Sequence, residues 1–155
     1  MDGILSVLKP PGMTSHDVVD YLRRLVRLRR VGHAGTLDPG AAGVLVICLG
    51  RATRLARFLH ALDKTYRAEM IFGYRTATQD VFGRVLDECD AAWLTMPRVA
   101  SVLPRFLGTV KQVPPMVSAL KRRGQKLYEL ARRGIEVPRE AREVTIYHIN
   151  IIRGD

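Results

Sequence analysis

The chain has 155 residues, 47% of them hydrophobic, and this length and composition suit one domain with a sizeable core. Its net charge of +10 and its pI of about 10.3 predict a polyanionic partner, above all nucleic acid. The two cysteines cannot form a disulfide framework, so a reducing cytoplasm is the expected location. The start resembles no signal peptide, and the longest apolar run is far shorter than the ~20 residues that span a bilayer, so no membrane segment is expected.

The first predicted elements are a short strand and an amphipathic helix. The strand covers residues 4–8 and is stopped by the "PPG" that follows at 10–12. The helix covers "TSHDVVDYLRRLVRLRR", where Thr14 and Asp17 have capping-box spacing and the apolar residues recur at helical spacing. Its other face carries the arginines between Arg23 and Arg30.

A glycine-rich loop comes next, and the elements after it are predicted from their apolar pattern. Residues 44–49 form an apolar run and are predicted to be a buried strand. The segment "RATRLARFLHALDK" predicts a second amphipathic helix with Leu55, Leu59 and Leu62 turned inward. The segment "KTYRAEMIFGY" alternates apolar and polar residues, which predicts a strand.

The second half of the chain is predicted to hold a return strand, two helices and a final strand. "TATQDVFG" is a loop before the strand "RVLDECD", and residues 97–107 form a helix that Pro104 weakens. "QKLYELARRG" forms a short helix closed by Gly134, and "VTIYHINIIR" alternates as the last strand. Strands and helices are interleaved, so the class is mixed α/β or α+β.

Most of the positive charge lies in three clusters, at 23–30, 51–67 and 121–142. Helices that display solvated arginines would explain any one cluster. Three clusters with an arginine majority favour phosphate contacts instead, because the guanidinium fork matches phosphate oxygens. The last cluster is bounded by prolines and also suits a loop that orders on RNA.

The loop "GHAGTLDPG" holds a lone carboxylate, Asp38, together with His33. On spacing alone, Asp38-Pro39-Gly40 is ordinary turn chemistry, and Asp38 is more often an Asx-turn residue than a catalyst. His33 by itself would be a hydrogen-bonded loop histidine. No second carboxylate, metal-ligand cluster or Ser/His/Asp arrangement accompanies them, and Walker and dinucleotide glycine signatures are absent. Metal hydrolysis, two-carboxylate glycoside chemistry, ATP and NAD therefore have no support.

Four segments, in family order over essentially the whole chain, closely resemble the bacterial TruB family of tRNA pseudouridine-55 synthases. They are "KPPGMTSHD", "GHAGTLDPGAAGVLVICLGRATR", "DKTYRAEMIFG" and "VPPMVSALKRRGQKLYELARRGIEVPREAREV". The resemblance implies an α+β pseudouridine synthase catalytic fold, with a mixed, largely antiparallel sheet flanked by helices. It also implies one catalytic domain over residues 1–155, with a basic RNA-clasping insertion at about 111–143.

The activity implied by the resemblance is an isomerisation of the T-loop uridine at tRNA position 55. The C1′–N1 bond breaks and the uracil turns and is rejoined through C5, with no metal or organic cofactor. Asp38 is implied as the essential catalytic residue, which attacks ribose C1′ or uracil C6 or acts as a base; the sequence leaves these three open. Tyr66 would stack on the target base and is a candidate for proton transfer. The RNA-binding residues implied are His33, Gly35, Thr36, Arg54, Lys64, Arg67, Lys121, Arg122, Lys126, Arg132 and Arg133.

A lone carboxylate agrees with this chemistry. The target uridine must leave its stack before a side chain can reach C1′ or C5. A histidine or aromatic ring can offset part of the stacking that is lost, roughly 1–3 kcal/mol per base. One ionised carboxylate held close to the sugar suffices, and a second acid would repel it. The expected partner is the T arm of tRNA, with no membrane and no metal, and the chain is expected to be a cytoplasmic monomer.

Three features depart from the family pattern. Gly40 and Ala42 replace the usual leucine and threonine pattern, which predicts a looser loop, and Val117 stands where an aromatic residue is usual. Family members continue through a "GTYIR"-like motif, whose arginine pairs with the catalytic aspartate, and through a C-terminal RNA-binding domain; this sequence contains neither. We therefore expect an incomplete sheet and weak or absent activity, with RNA binding partly kept. The alternatives are a non-catalytic tRNA-binding fragment or tRNA-folding helper, and a basic globule with no RNA role.

Overall fold

A computed structural model describes residues 1–116, 118, 121–122 and 124–152 of the chain. The chain forms two compact units, Met1–Ala68 and Glu69–Asp155. Every strand pair in the described residues is antiparallel, and helices are interleaved with the strands, so the expected α+β class is confirmed. The strands of this part form small separate sheets, one of three strands and three of two. None of the helices described is long and apolar enough to cross a bilayer.

The first unit consists of a three-stranded sheet, one long helix and a short helical segment. Its elements are β1 (Gly3–Lys9), α1 (Ser15–Val26), β2 (Val31–His33), β3 (Gly43–Leu49), a 3-10 helix (Gly50–Leu55) and α2 (Ala56–Leu59). The sheet order is β1-β3-β2, so β3 is the central strand. The first predicted strand, the first helix and the strand at 44–49 are confirmed.

The core of the first unit lies between α1 and one face of this sheet. Alternate residues of β3, Leu45, Ile47 and Leu49, are buried together with Val18, Val19, Leu22 and Val31. The side chains that alternate along β3 thus pack against the apolar side of α1, as the sequence pattern predicts. Full burial of a valine, leucine or isoleucine stabilises the fold by roughly 1.5–3 kcal/mol each, so this cluster is the main source of the unit's stability.

Helix α1 has a defined start and a defined end. At its start, the Thr14 hydroxyl accepts from the Asp17 backbone N–H at 3.1 Å, and the Asp17 carboxylate accepts from the Thr14 N–H at 2.7 Å. This is the predicted capping box, with aspartate in place of glutamate. At its end, Arg27 has a left-handed backbone with φ of 52°, and the Leu28 N–H donates to the Arg23 carbonyl at 3.2 Å.

The topology places the Asp38 loop, which we define as residues 34–42, and the end of α1 at opposite ends of the first unit. Lys9, the last residue of β1, pairs with Gly43 at the start of β3, whereas Val31 pairs with Leu49 at its end. Helix α1 begins on the Lys9 side and runs for 12 residues, about 18 Å, toward the other end. There the Gly50 N–H donates to the Arg30 carbonyl at 2.8 Å.

The second unit contains three two-stranded sheets and two helices in its described residues. Its elements are β4 (Tyr74–Thr76), β5 (Val85–Glu88), α3 (Met96–Val102), a 3-10 helix (Leu103–Phe106), β6 (Gly108–Gln112), β7 (Lys121–Arg122), β8 (Gln125–Lys126), α4 (Leu127–Arg132) and β9 (Arg142–Ile146). β4 pairs with β5, β6 with β9 and β7 with β8. The predicted return strand and the helix closed by Gly134, where φ is 72°, are confirmed.

The strand predicted from "KTYRAEMIFGY" is wrong except for its last residue, Tyr74. Residues 64–73 form no strand, and both sides of the alternating pattern are exposed, including Met70 and Ile71. Alternation predicts a strand only where a neighbour supplies the ladder of hydrogen bonds. No strand in the described part of the chain pairs with this segment.

The second amphipathic helix, predicted over residues 51–64, is also wrong in its type and burial. The segment begins as a 3-10 helix and becomes only the four-residue α2, with Leu55 and Leu62 exposed and Leu59 half-buried. The Thr53 hydroxyl donates to the Gly50 carbonyl at 2.8 Å, a local bond that competes with α-helical pairing.

Two smaller differences concern the second unit. The helix predicted over 97–107 is α-helical only to Val102 and continues as a 3-10 helix, since Pro104 has no N–H to donate. The final strand ends at Ile146, earlier than predicted, and its partner β6 has no predicted counterpart.

Candidate active site

The Asp38 loop is built mainly from backbone hydrogen bonds. The Ala34 N–H donates to the Val46 carbonyl at 2.8 Å, and the Ala41 N–H donates to the Asp38 carbonyl at 3.0 Å, which closes the turn. The His33 ring donates from Nδ1 to the Gly35 carbonyl. Gly35 has a φ of +127°, a conformation that side chains rarely adopt, so glycine is required there. The loop thus turns sharply just before Asp38.

Ser15 joins the loop to the first turn of α1. Its hydroxyl accepts from the Leu37 N–H at 3.0 Å and donates to the Leu37 carbonyl at 3.1 Å. The residue is only 4% exposed, so water does not compete strongly for these bonds. Both backbone groups of the residue before Asp38 are therefore fixed to a helix of the core.

Lys9 joins the loop to the end of β1. Its ammonium donates to the carbonyls of Met13 at 2.6 Å, Pro10 at 2.9 Å and Pro39 at 3.3 Å, and the residue is fully buried. The Gly12 N–H also donates to the Pro39 carbonyl, at 2.7 Å. A buried ammonium requires such acceptors. Here Pro10 and Met13 supply two of them from the segment after β1, and Pro39 supplies the third from the Asp38 loop. The residue after Asp38 is fixed in this way.

The Asp38 side chain itself is exposed. Its carboxylate makes no hydrogen bond or ion pair with the residues that the structure describes, so it does not act as an Asx-turn acceptor there. No group of three His, Cys, Asp or Glu side chains in this part of the chain could hold a metal ion. The arrangement presents one carboxylate to solvent on a backbone held at Leu37 and Pro39.

Four of the predicted residues lie together in the first unit. His33, Gly35, Thr36 and Asp38 lie in one short stretch, with Thr36 exposed and His33 half-buried. Arg54 lies in the 3-10 helix that follows β3, at the end of the unit away from Asp38.

The predicted residues that follow α2 lie on an exposed segment. The Lys64 ammonium donates to the carbonyls of His60 at 2.8 Å and Leu62 at 2.7 Å, so it satisfies backbone groups just after α2. Tyr66 is 70% exposed and Arg67 is also exposed. Neither of these two side chains makes a hydrogen bond within the described residues.

The predicted insertion lies in the second unit, and only part of it is described. Arg133 is exposed after α4. The backbones of Lys121, Arg122, Lys126 and Arg132 belong to β7, β8 and α4, but their side chains lie outside what the structure describes, as does Val117 entirely.

Two residues that hold the Asp38 loop, Lys9 and Ser15, were not among the predicted site residues. A signal for Lys9 exists, because it follows Leu5 and Val7 at a period of two and therefore falls on the core face of β1. Ser15 has no comparable signal in the sequence, because hydroxyl residues are already expected at the start of a helix, where Thr14 is the N-cap.

The chain is similar in sequence to known proteins over nearly its whole length. Residues 23–155 match the TruB family pseudouridylate synthase (N terminal domain). A tRNA pseudouridine synthase B of Pelotomaculum thermopropionicum is 58% identical over 154 residues, 99% of this chain and 49% of that protein. That of Symbiobacterium thermophilum is 57% identical over 152 residues, 98% of this chain and 51% of that protein.

A solved structure is similar in fold. A chain in the "Crystal Structure of a Cbf5-Nop10-Gar1 Complex" aligns with a TM-score of 0.59 and 26% identity, over 99% of this chain and 36% of that chain. The present chain spans about half the length of the curated relatives that it matches. The family match covers most of its residues, and the chain therefore belongs to the TruB family of pseudouridylate synthases, in the part that corresponds to their N-terminal domain.

Proposed function

We propose that this chain supplies the catalytic aspartate and part of the RNA-binding surface of a tRNA pseudouridine synthase that acts on the T-loop uridine at position 55. The observation that carries the proposal is the state of Asp38, an exposed carboxylate on a loop held by the buried Lys9 and Ser15. The two relatives described above are tRNA pseudouridine synthases, which supports tRNA as the substrate.

The chemistry proposed for Asp38 needs a carboxylate that is ionised, accessible and fixed in position. Its two neighbours in the chain are anchored through hydrogen bonds to the core, so little further ordering is required when the nucleotide arrives. Attack on ribose C1′ breaks the C1′–N1 bond and leaves uracil free to turn. Attack on uracil C6 and removal of a proton from the sugar are the other two routes. In all three, C5 of the turned uracil bonds to C1′, any bond that Asp38 has formed breaks, C5 loses its proton and N1 gains one.

His33 and Tyr66 are proposed to meet the flipped nucleotide. The His33 Nδ1 is bound to the Gly35 carbonyl, which leaves Nε2 as the ring atom for a polar contact with RNA. The exposed ring of Tyr66 offers a stacking surface, and stacking on an aromatic side chain contributes about 1–3 kcal/mol per base. These contacts would offset part of the cost of drawing the uridine out of its stack.

The T arm of tRNA is the proposed partner of the basic residues. Gly35 and Thr36 lie in the Asp38 loop, and Arg67 follows Tyr66. The remaining RNA contacts proposed are Arg54, Lys64, Lys121, Arg122, Lys126, Arg132 and Arg133. Proposals for the whole molecule are that residues 1–155 form one catalytic domain with an insertion at about 111–143, and that the protein is a cytoplasmic monomer.

The first prediction is that tritium release from tRNA labelled at uridine C5 depends on Asp38. We would measure it in a chimera in which this chain replaces the matching half of the Pelotomaculum thermopropionicum relative. Asp38→Ala is expected to reduce release by about 10³-fold or more, because it removes the reacting group, with tRNA affinity little changed. Asp63→Ala, at another exposed aspartate of the first unit, is the matched control and should release tritium normally.

The same experiment separates the proposed enzyme from a chain that only binds tRNA. A chimera that binds tRNA and releases no tritium with Asp38 intact would favour the binding role. Release that survives Asp38→Ala would show that another group performs the chemistry. The 155 residues alone are expected to bind tRNA but to turn it over weakly or not at all.

A further inference from the structure

One end of the first unit carries a concentration of arginines that the Asp38 loop does not use. Between residues 21 and 62 the chain has eight arginines, no lysine and a single acidic residue, Asp38. Because Asp38 lies at the other end of the unit, we call this surface the arginine end. Its members are Arg23, Arg24, Arg27, Arg29, Arg30, Arg51, Arg54 and Arg57.

Two segments that are distant in sequence meet to form the arginine end. Arg24, Arg27, Arg29 and Arg30 lie in or just after the last turn of α1, and all are exposed. The backbone bond between Gly50 and Arg30 brings the 3-10 helix to the same place. Beside α1, an open cavity of about 380 Å³ is lined by Arg23, Arg24, Arg27, Leu28 and Arg29.

Within the described residues, few of these charges have a partner. Arg23 is bound to the Asp20 carboxylate at 2.8 Å and to the Val31 carbonyl at 3.0 Å. Arg51 is bound to the Asp2 carboxylate at 2.7 Å. The guanidinium groups of Arg24, Arg27 and Arg29, around the cavity, make no hydrogen bond or ion pair in the part of the chain that is described.

Helix-end electrostatics does not account for this surface. Cations near a helix C-terminus contribute about 0.3–1 kcal/mol each, but the effect is confined to the last turn, and Arg29 and Arg30 lie beyond it. Lysine would serve that purpose equally well and is absent here. Arginine is favoured where planar groups must meet phosphate oxygens through two parallel hydrogen bonds.

We infer that the arginine end is a second RNA-backbone contact, which binds phosphates of the substrate stem remote from the target nucleotide. This inference rests on the proposed function, because it takes the Asp38 loop as the position of the target. The length of α1 separates the two places by about 18 Å. An RNA must therefore extend at least that far to touch both.

The test compares RNA binding by charge variants on two hairpins that share one loop. One hairpin has a stem that reaches beyond ~18 Å from the target nucleotide, and the other has a stem that stops short of it. The variant carries Arg24→Gln, Arg27→Asn and Arg29→Gln; asparagine is used at Arg27 because it tolerates a left-handed backbone. The control removes three exposed positive charges from the second unit, all outside the predicted insertion at about 111–143, by Arg75→Gln, Arg84→Gln and Arg105→Gln.

The readout is the slope of log Kd against log salt concentration. On the long hairpin, the variant is expected to lower the slope by about 2–3, since each lost phosphate contact contributes about 0.7–0.9. On the short hairpin, the variant and the wild-type chain should have equal slopes. The control should match the wild type on both hairpins, and unfolding curves should show that all three proteins are folded.

Each other result would overturn the inference. Equal slopes for variant and wild type on the long hairpin would show that the arginine end is a solvated surface. An equal reduction of the slope on both hairpins would place these arginines next to the target nucleotide. A reduction of the same size in the control variant would reflect net charge alone. A wild-type chain with no RNA binding would overturn it as well. Binding requires no turnover, so failure of the Asp38 experiment leaves this result readable by itself.

Discussion

Lys9 and Ser15 hold the backbone on either side of Asp38 through polar groups that are almost completely buried. A buried hydrogen bond contributes modestly to stability while it is made, but a group left without its partner costs about 1–3 kcal/mol. These two residues therefore combine a role in stability with a role in the position of the carboxylate. A substitution at Lys9 or Ser15 can therefore displace the Asp38 carboxylate although Asp38 itself is unchanged.

Ser15→Ala is expected to destabilise the fold by about 1–3 kcal/mol, because it leaves both backbone groups of Leu37 without their partner. Urea denaturation measures this loss, and tritium release in the chimera should fall further than tRNA affinity does. Ser6→Ala, at an exposed serine of β1, is the control and should change neither. An unaltered rate in a destabilised Ser15→Ala protein would show that the clamp on Leu37 has no part in catalysis.

Lys9→Met should have a larger effect on stability, of about 3 kcal/mol, since it removes a charged donor from three carbonyls at once. Thermal unfolding would show it as a lower Tm. Lys111→Met, at an exposed lysine, is the comparison and should leave Tm nearly unchanged. A similar Tm for both variants would mean that water replaces the Lys9 ammonium without cost.

At the scale of elements, α1 is the clearest success of sequence reasoning, and its capping box gives it a pH dependence. Hydrogen bonding by the Thr14 side chain and by the Thr14 backbone N–H holds the pKa of Asp17 below its usual 3.8. A lowered pKa in the folded state means that the ionised form stabilises the fold. That stabilisation is complete above the unfolded-state pKa and is lost as pH falls through the folded-state value.

The Tm advantage of the wild-type chain over Asp17→Ala is therefore expected to be constant from pH 7 to about pH 5 and to shrink below pH 3.8. Thermal scans of both proteins across that range would measure it. Asp63→Ala serves as the control and should follow the wild type at every pH. A difference between wild type and Asp17→Ala that grows in acid would contradict the capping role.

The elements that sequence reasoning predicted wrongly share one physical property. α1 and β3 bury their apolar side against each other, so their periodicity is sufficient evidence. Residues 64–73 and the helix predicted after Gly50 have equally regular patterns but expose most of their apolar residues. A pattern records which residues could be buried together, whereas the partner that buries them lies elsewhere in the chain or in another molecule. The loop turn at Asp38 was predictable from Asp-Pro-Gly, but its anchoring by Ser15 was not.

At the scale of the whole molecule, the two units differ in how much core they have. The described core cluster lies entirely in the first unit, between Val7 and Leu49. In the second unit, the buried hydrophobic residues among those described are Leu127 and Leu130. The first unit is short for an independent domain, but chains of this size do fold alone.

Residues 1–68, produced as a separate fragment, are accordingly expected to unfold cooperatively, with the helical signal of α1 retained. Circular dichroism against urea would measure both. Leu45→Ala within the fragment should abolish the transition, because the loss of a buried leucine costs about 2–5 kcal/mol and a small core has little in reserve. A fragment without any cooperative transition would show that the first unit needs the rest of the chain in order to fold.

Gly50 and Asp2 illustrate how a contact in the fold constrains evolutionary change. Gly50 has a φ of +55°, and a Cβ at this position would collide with the Asp2 carboxylate, the same group that binds the backbone and side chain of Arg51. Substitutions at these two positions should therefore be epistatic. A larger residue at 50 would also meet the Met1 carbonyl oxygen and would have to adopt a left-handed backbone, so a change at residue 2 relieves only part of its cost. A substitution at 50 should therefore be less harmful where residue 2 has already changed, and the order in which the two mutations arise affects the stability of the intermediate.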